Sequence, residues 1–333
     1  GFKGYVDRMM AVVDPVTKQR TPLLSRATAE TGVRHAERID AALDMSRNFL
    51  FDYFAAQTLL RGQYLLCEHR HATMVPLETP QHMWMRVAIG LFGDDIDTAL
   101  ELYHMLSLRR CILATPTLFH SGTGLSQLSS CFLLDVEADS IEGIFSTIGQ
   151  CAVISKHAGG IGVSVDKIRA NGSHIASTNG TSNGLGPMLQ VFNATARYCD
   201  QGGGKRKGAF AVYISPYHAD IFQFLDQKRN TGTPEERSRD LFYGLWVPDV
   251  FMQRVITAMQ TNDEDSTVMW SLFDPKCVPE LGDLYGEAFT AAYEAAEARG
   301  LFSKQVRIRD LWCKILETQI ETGVPYILYK DHC

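Results

Sequence analysis

The chain has 333 residues, 45% apolar and 21% charged, with a formal net charge of −6. That length can bury a full core and allows two domains or one large α/β unit. The negative balance excludes a broad electrostatic grip on nucleic acid, and no apolar run approaches the ~18 residues of a membrane span.

In chain order, residues 34 to 62 and 80 to 110 carry apolar side chains at helical spacing, for example Ile39, Ala42 and Leu43, then Ile96, Ala99, Leu100 and Tyr103. Residues 1–110 are therefore expected to form a mainly helical N-terminal region. Within it, Cys67-Glu68-His69-Arg70-His71 looks like part of a metal site, but no second ligand cluster lies nearby in sequence, and a polar turn explains it better. None of the eight cysteines forms a CxxC pair, so reduced thiols are expected and no metal site is assigned.

From 111 to 333 the pattern alternates. Asp139-Ser140-Ile141-Glu142 has capping-box spacing with Asp139 as the cap. Ile141, Ile144, Phe145, Ile148 and Ala152 then mark one helical face, which should stop at Gly159-Gly160 before a strand at 161–165. A helix from about Pro187 to Asp200, a strand at 209–214, a helix at 220–227 and a strand at 241–247 follow. Pro248 opens another helix. Residues 284 to 299 and 309 to 322 read as helices, and 325 to 329 as a strand. Helix and strand alternating with short joints indicates an α/β fold with a mostly parallel sheet.

Asp200-Gln-Gly-Gly-Gly-Lys-Arg-Lys-Gly208 sets three glycines against three cations. It reads either as a solvated turn or as a loop that closes on a nucleotide, its cations meeting phosphate or base oxygens. Neither GxxxxGK[ST] nor GxGxxG occurs, so the two common nucleotide fingerprints are absent.

Several stretches together resemble the large, catalytic subunit of class I ribonucleotide reductase. They are Ala114-Thr-Pro-Thr-Leu-Phe119, Gln127-Leu-Ser-Ser-Cys-Phe-Leu-Leu134, Asp139-Ser-Ile-Glu-Gly143, Ser155-Lys-His-Ala-Gly-Gly-Ile-Gly162, Ile168-Arg169, Thr178-Asn-Gly180, Ala196-Arg-Tyr198 and the glycine–cation loop. Weaker similarity extends from Pro80-Gln-His-Met83 to Glu321-Thr-Gly-Val-Pro-Tyr326. The resemblance implies a helical region followed by roughly the first half of a ten-stranded α/β barrel. It also implies radical reduction of ribonucleoside diphosphates to 2′-deoxyribonucleoside diphosphates, controlled by dNTP or ATP.

By the same resemblance, Cys131 is one of the two thiols that reduce the 2′ carbon. It begins a buried-looking strand and so is expected to face a dry site, though an inert core cysteine is the plainer alternative. Substrate contacts fall on Thr115, Ser130, Gly159, Gly160, Gln201 and Arg206. Thr115 in a turn before Pro116 and the two glycines ending a helix are the ordinary alternatives. Effector contacts fall on Asp139, Ser140, Lys156, Arg169, Tyr198 and Asp200, the last two reaching the base from a partner subunit. Residues 170 to 183 match a flexible effector loop.

The implied partners are a second large subunit, a small radical-generating subunit holding the metal cofactor, and thioredoxin or glutaredoxin. No cofactor is expected in this chain beyond the effector nucleotide with magnesium. No nucleic acid or membrane is implied, and the expected location is the cytoplasm. Tyr217 departs from a frequent family Trp and Lys207 from a frequent Pro. The family's Asn-x-Cys-x-Glu stretch, which bears the thiyl cysteine, is missing, as is the N-terminal ATP-binding module. The start at Gly1 and the stop at Cys333, just after a strand, read as a fragment, expected to be inactive alone. A non-catalytic nucleotide-binding relative, or a scaffold protein, is the alternative.

Overall fold

The computed structural model describes residues 1–70, 73–199, 208–260 and 267–332. The chain forms two compact units, Gly1–Ser130 with His157–Gly159, and Cys131–Lys156 with Gly160–Cys333.

The first unit is built from helices α1 (Phe2–Met10), α2 (Arg26–Arg34), α3 (Ala36–Ala42) and α4 (Tyr53–Arg61), the strands β1 (Cys67–Arg70) and β2 (Thr73–Pro76), and helices α5 (Pro80–Phe92), α6 (Ile96–Ser107) and α7 (Thr115–His120). The expected helical character holds, with one correction. Cys67–Arg70 is not a turn but a strand paired antiparallel with β2; His71 lies outside the described residues. Among the described residues no group of three His, Cys, Asp or Glu could hold a metal ion.

Helix α5 starts sharply because Thr79 caps it and Pro80, which lacks an N–H, occupies its first turn. It then runs through the core with Met83, Trp84, Met85, Val87, Ala88 and Ile89 buried. It also buries Arg86 completely. That cation is tolerated because Nε donates to Glu78 Oε1 at 2.7 Å, Nη2 to Glu78 Oε2 at 3.2 Å, and Nη1 to the Ser121 carbonyl at 2.6 Å. Glu78 also accepts from the Tyr5 hydroxyl at 2.5 Å and the Leu66 amide at 2.8 Å.

The second unit comprises β3 (Cys131–Asp135), α8 (Ile141–Lys156), β4 (Gly160–Ser164), β5 (His174–Ile175), β6 (Gly180–Thr181), α9 (Leu185–Tyr198), β7 (Phe210–Ile214), α10 (Ile221–Leu225), β8 (Phe242–Val247), α11 (Asp249–Gln260), β9 (Met269–Leu272), α12 (Gly286–Ala298), β10 (Lys304–Arg307), α13 (Ile308–Thr322) and β11 (Tyr326–Tyr329). Strands β3, β4, β7, β8 and β11 form one parallel sheet in that spatial order. Each strand lies beside its predecessor in the sheet. Right-handed crossovers that never reverse direction keep all their helices on one face.

That asymmetry explains the burial pattern. On the helix-covered face, Ile161, Val163, Phe210, Val212, Ile214, Tyr243, Leu245 and Val247 are buried with Ile148, Phe192, Phe251 and Ile315. The other face carries Cys131, Leu133, Gly162, Ala211, Tyr213, Gly244 and Tyr326 by strand parity, and Leu133 is 85% exposed. The expected buried strand at Cys131 is thus corrected. Cys131, Leu133 and Asp135 are exposed, while Phe132 and Leu134 are half-buried.

Two strand-interior glycines on the uncovered face, Gly162 and Gly244, have no positive φ to explain them. Each costs about 0.5–1 kcal/mol against alanine, so space is the better reason for glycine. A Cβ on Gly162 would stand 2.8 Å from Leu133 Cδ2 and 3.0 Å from Tyr213 Cε2. On Gly244 it would stand 2.6 Å from both Cδ1 and Cε1 of Tyr213. The phenol ring of Tyr213 therefore lies across β7, with one edge over β4 and the other over β8.

Candidate functional site

In the first unit, Thr115 occupies the first turn of α7, and its Oγ1 lies 3.1 Å from the Tyr64 hydroxyl. It borders a cavity of about 630 Å³ lined mainly by Phe51, Phe54, Leu59, Tyr64, Trp84 and Leu106. Helix α7 also fixes the stretch before Ser130. Thr117 Oγ1 donates to the Leu128 carbonyl at 3.1 Å, and His120 Nδ1 donates to the Gln127 carbonyl at 2.7 Å. Gln127 completes the bracket. Its amide Nε2 donates to the carbonyls of Ser129 at 2.8 Å and His157 at 3.3 Å, and its Oε1 accepts from the Ser129 amide at 2.6 Å. Segments 127–130 and 157–159, which carry Ser130 and Gly159, are so held together within one unit. Helix α8 ends at Lys156, and the left-handed residue that follows is Ala158 (φ 65), not a glycine as expected.

In the second unit, Cys131 opens β3 directly opposite Gly160, which opens β4. Its thiol is free and exposed. The next chain along that edge is 208–209, where the Ala209 carbonyl accepts from the Ile161 amide at 3.1 Å. Gly208 sits there because a Cβ would meet the carbonyls of Ala196 at 2.6 Å and Cys199 at 2.9 Å. Asp200, Gln201, Arg206 and Lys207 lie outside the described residues. The described flank of their loop reaches the sheet at the same amino edge as Cys131.

At the carboxyl ends of β3 and β4, Arg169 donates from Nε to Asp139 Oδ2 at 2.6 Å and from Nη2 to the Asp139 carbonyl at 3.0 Å. With its carboxylate so engaged, Asp139 is not the helix cap. Ser140 caps α8 instead, its Oγ accepting from the Gly143 amide at 3.1 Å. Asp139, Ser140 and Arg169 are thus brought together. Lys156 is not with them, being at the far end of α8, about 24 Å away at the helical rise. Tyr198, 88% exposed, ends α9 on Lys156's side, where Ser155 Oγ donates to the Cys199 carbonyl at 2.7 Å. Residues 170 to 183 form a small hairpin of β5 and β6.

Comparison with known proteins decides what this arrangement belongs to. Residues 129–333 match the ribonucleotide reductase barrel domain and residues 49–126 the ribonucleotide reductase all-alpha domain. The chain belongs to the ribonucleotide reductase family. It is 50% identical over 322 residues to the ribonucleoside-diphosphate reductase large subunit of Trypanosoma brucei brucei, covering 96% of this chain and 37% of that protein. Identity to the large subunit of Arabidopsis thaliana is 51% over 332 residues, covering 100% of this chain and 39% of the relative. For Plasmodium falciparum (isolate Dd2) it is 52% over 311 residues, 93% and 37%. The chain therefore spans well under half the length of these relatives.

Within that family frame, the helical region and the parallel sheet stand as expected from sequence. Tyr217, the departure from Trp, is fully buried with its ring centroid 5.8 Å from that of Phe289. Sequence reading passed over Gln127 and Tyr213. Gln127 opens the stretch Gln127-Leu-Ser-Ser-Cys-Phe-Leu-Leu134, so its position is a signal in the sequence. Tyr213 gave none, because only the strand register shows two glycines flanking it.

Proposed function

We propose that the whole polypeptide is the catalytic large subunit of a ribonucleoside-diphosphate reductase, making 2′-deoxyribonucleoside diphosphates for DNA synthesis in the cytoplasm. The observation that carries this reading is about 50% identity to curated large subunits across nearly the whole chain. In it Cys131 is a reducing thiol, with Thr115, Ser130, Gly159, Gly160, Gln201 and Arg206 at the substrate. An exposed thiol beside a glycine backbone leaves a sugar room to approach. The radical comes from the metal cofactor of a small partner subunit, and thioredoxin or glutaredoxin re-reduces the thiols. The thiyl cysteine is supplied by sequence other than these 333 residues, which contain no Asn-x-Cys-x-Glu.

Asp139, Ser140 and Arg169 form one half of the effector site, holding ribose and phosphate of a dNTP or ATP with its magnesium. Lys156, Tyr198 and Asp200 belong to the same role, yet Lys156 and Tyr198 lie at the other end of the helices. A second copy resolves this. Helix α8 exposes Ile141 (68%), Phe145 (53%) and Val153 (58%) along one side. Pairing that stripe antiparallel across a two-fold axis buries it and sets the end of one α8–α9 pair beside the start of the other.

The test is turnover of the full-length polypeptide with its small subunit, CDP and dithiothreitol. Cys131→Ser is expected to abolish formation of dCDP, and normal activity in that variant overturns the assignment. A non-catalytic relative would bind dTTP yet turn over nothing even with Cys131 intact.

A further inference from the structure

On the uncovered face of the sheet, which by strand parity also carries Leu133, Phe242, Trp246 and Tyr326, one ring is flanked by two strand glycines. Tyr213 lies across β7 with opposite ring edges over Gly162 and Gly244, and Ala211 precedes it on the same face toward the amino end of β7. This is not core packing, since the buried aromatics Phe210, Tyr243 and Phe224 sit on the helix-covered side. The ring's hydroxyl is within electrostatic reach of Tyr326 and of the Cys131 thiol. Both add to the upward shift that burial imposes on the phenol. Two glycines kept for space, on the strands either side of β7, hold one ring in one pose close to one reactive group.

We propose that Tyr213 is a further substrate-contact residue: its ring is the floor on which the sugar of a ribonucleoside diphosphate rests beside Cys131. Gly244 is a positioning residue that acts through the ring, because a methyl group there, 2.6 Å from two ring carbons, must displace it. At Gly162 a methyl group would crowd Leu133 first and the ring less. This inference rests on the substrate site proposed above. A flat apolar ring face suits the C–H side of a ribose and admits no bound water beneath it. Displacing it by about an ångström is enough to cost about a hundredfold in a well-aligned site.

A double-mutant cycle in the full-length enzyme tests the idea, read as KM for CDP, kcat and dTTP affinity. Gly244→Ala is expected to raise KM for CDP by about tenfold or more while dTTP affinity stays within about twofold. Tyr213→Ala should do likewise, and Tyr213→Phe should leave KM nearly unchanged. The double variant should behave as Tyr213→Ala alone, since without the ring the added methyl displaces nothing. Additive effects, an unchanged KM in Gly244→Ala, or an equal fall in dTTP affinity overturns the proposal. Should Tyr213→Ala not fold, Tyr213→Leu takes its place in the same cycle. Cys131→Ser separates the two readings. If it abolishes turnover while the cycle shows nothing, only the role of Tyr213 fails, and if it retains turnover the substrate site itself is misplaced.

Discussion

Arg169 grips Asp139 twice, through the carboxylate at 2.6 Å and the backbone carbonyl at 3.0 Å. In the effector role proposed for Arg169, a nucleotide phosphate would have to draw the guanidinium away from this existing partner. Arg169→Ala is expected to weaken dTTP binding by about ten- to a hundredfold, the worth of one charge-assisted contact. Equilibrium dialysis with the full-length protein measures it, and undiminished affinity would remove Arg169 from the effector site.

Ser140, not Asp139, satisfies an otherwise open amide at the start of α8. Ser140→Ala should cost about 1 kcal/mol of stability by urea unfolding. Asp139→Ala should spare the cap and instead free Arg169. If Asp139→Ala destabilises as a lost cap does and Ser140→Ala is silent, the assignment is reversed.

Glu78 and Arg86 are both fully enclosed in the first unit and share a bidentate contact. Removing one partner alone strands a charge away from water, so Glu78→Ala should destabilise by about 3–5 kcal/mol. The double replacement Glu78→Leu with Arg86→Met is expected to lose less than the single one. Comparing the two by chemical denaturation checks the point, and a single variant as stable as the native chain would refute it.

His82 stacks on Tyr5 with ring centroids 4.8 Å apart and lies 2.9 Å from Thr79 Oγ1. Burial holds its imidazole below the usual histidine range, with Arg8 adding to the effect against Glu78 and Asp40. A lowered folded value means the stabilisation is complete above pH about 6.5 and is lost as pH falls through that lowered value. Stability should therefore decline between pH 7.5 and 5.5, and His82→Phe should flatten that part of the profile. Parallel slopes for the two proteins would exclude His82 as the cause.

Most of the second unit was legible from residue pattern, since the strands 160–164, 210–214 and 242–247 are short apolar runs bounded by glycine, proline or a cap. What escaped was pairing. The tract from Cys67 to His71 is polar enough to look like a turn, and only the ladder of Cys67–Arg70 with Thr73–Pro76 makes it a strand. Met269–Leu272 and Lys304–Arg307 also pair with each other, far apart in sequence. The exposure of Cys131 was misjudged because Cys-Phe-Leu-Leu reads as buried on both faces, whereas an edge strand with helices on one side buries only alternate residues. The Asp139 cap failed for a different reason: a carboxylate has one best partner, and Arg169, thirty residues on, outcompeted the local amide.

The monotonic strand order has a bearing on synthesis. As the chain leaves the ribosome, β4 finds β3 already made, β7 finds β4, and β8 finds β7, so the sheet can lengthen by one strand at a time without waiting for distant sequence. The longest pause falls before β11, which reaches β8 only after α11, β9, α12, β10 and α13 have emerged. During that interval the edge of β8 that later pairs with β11 stands open.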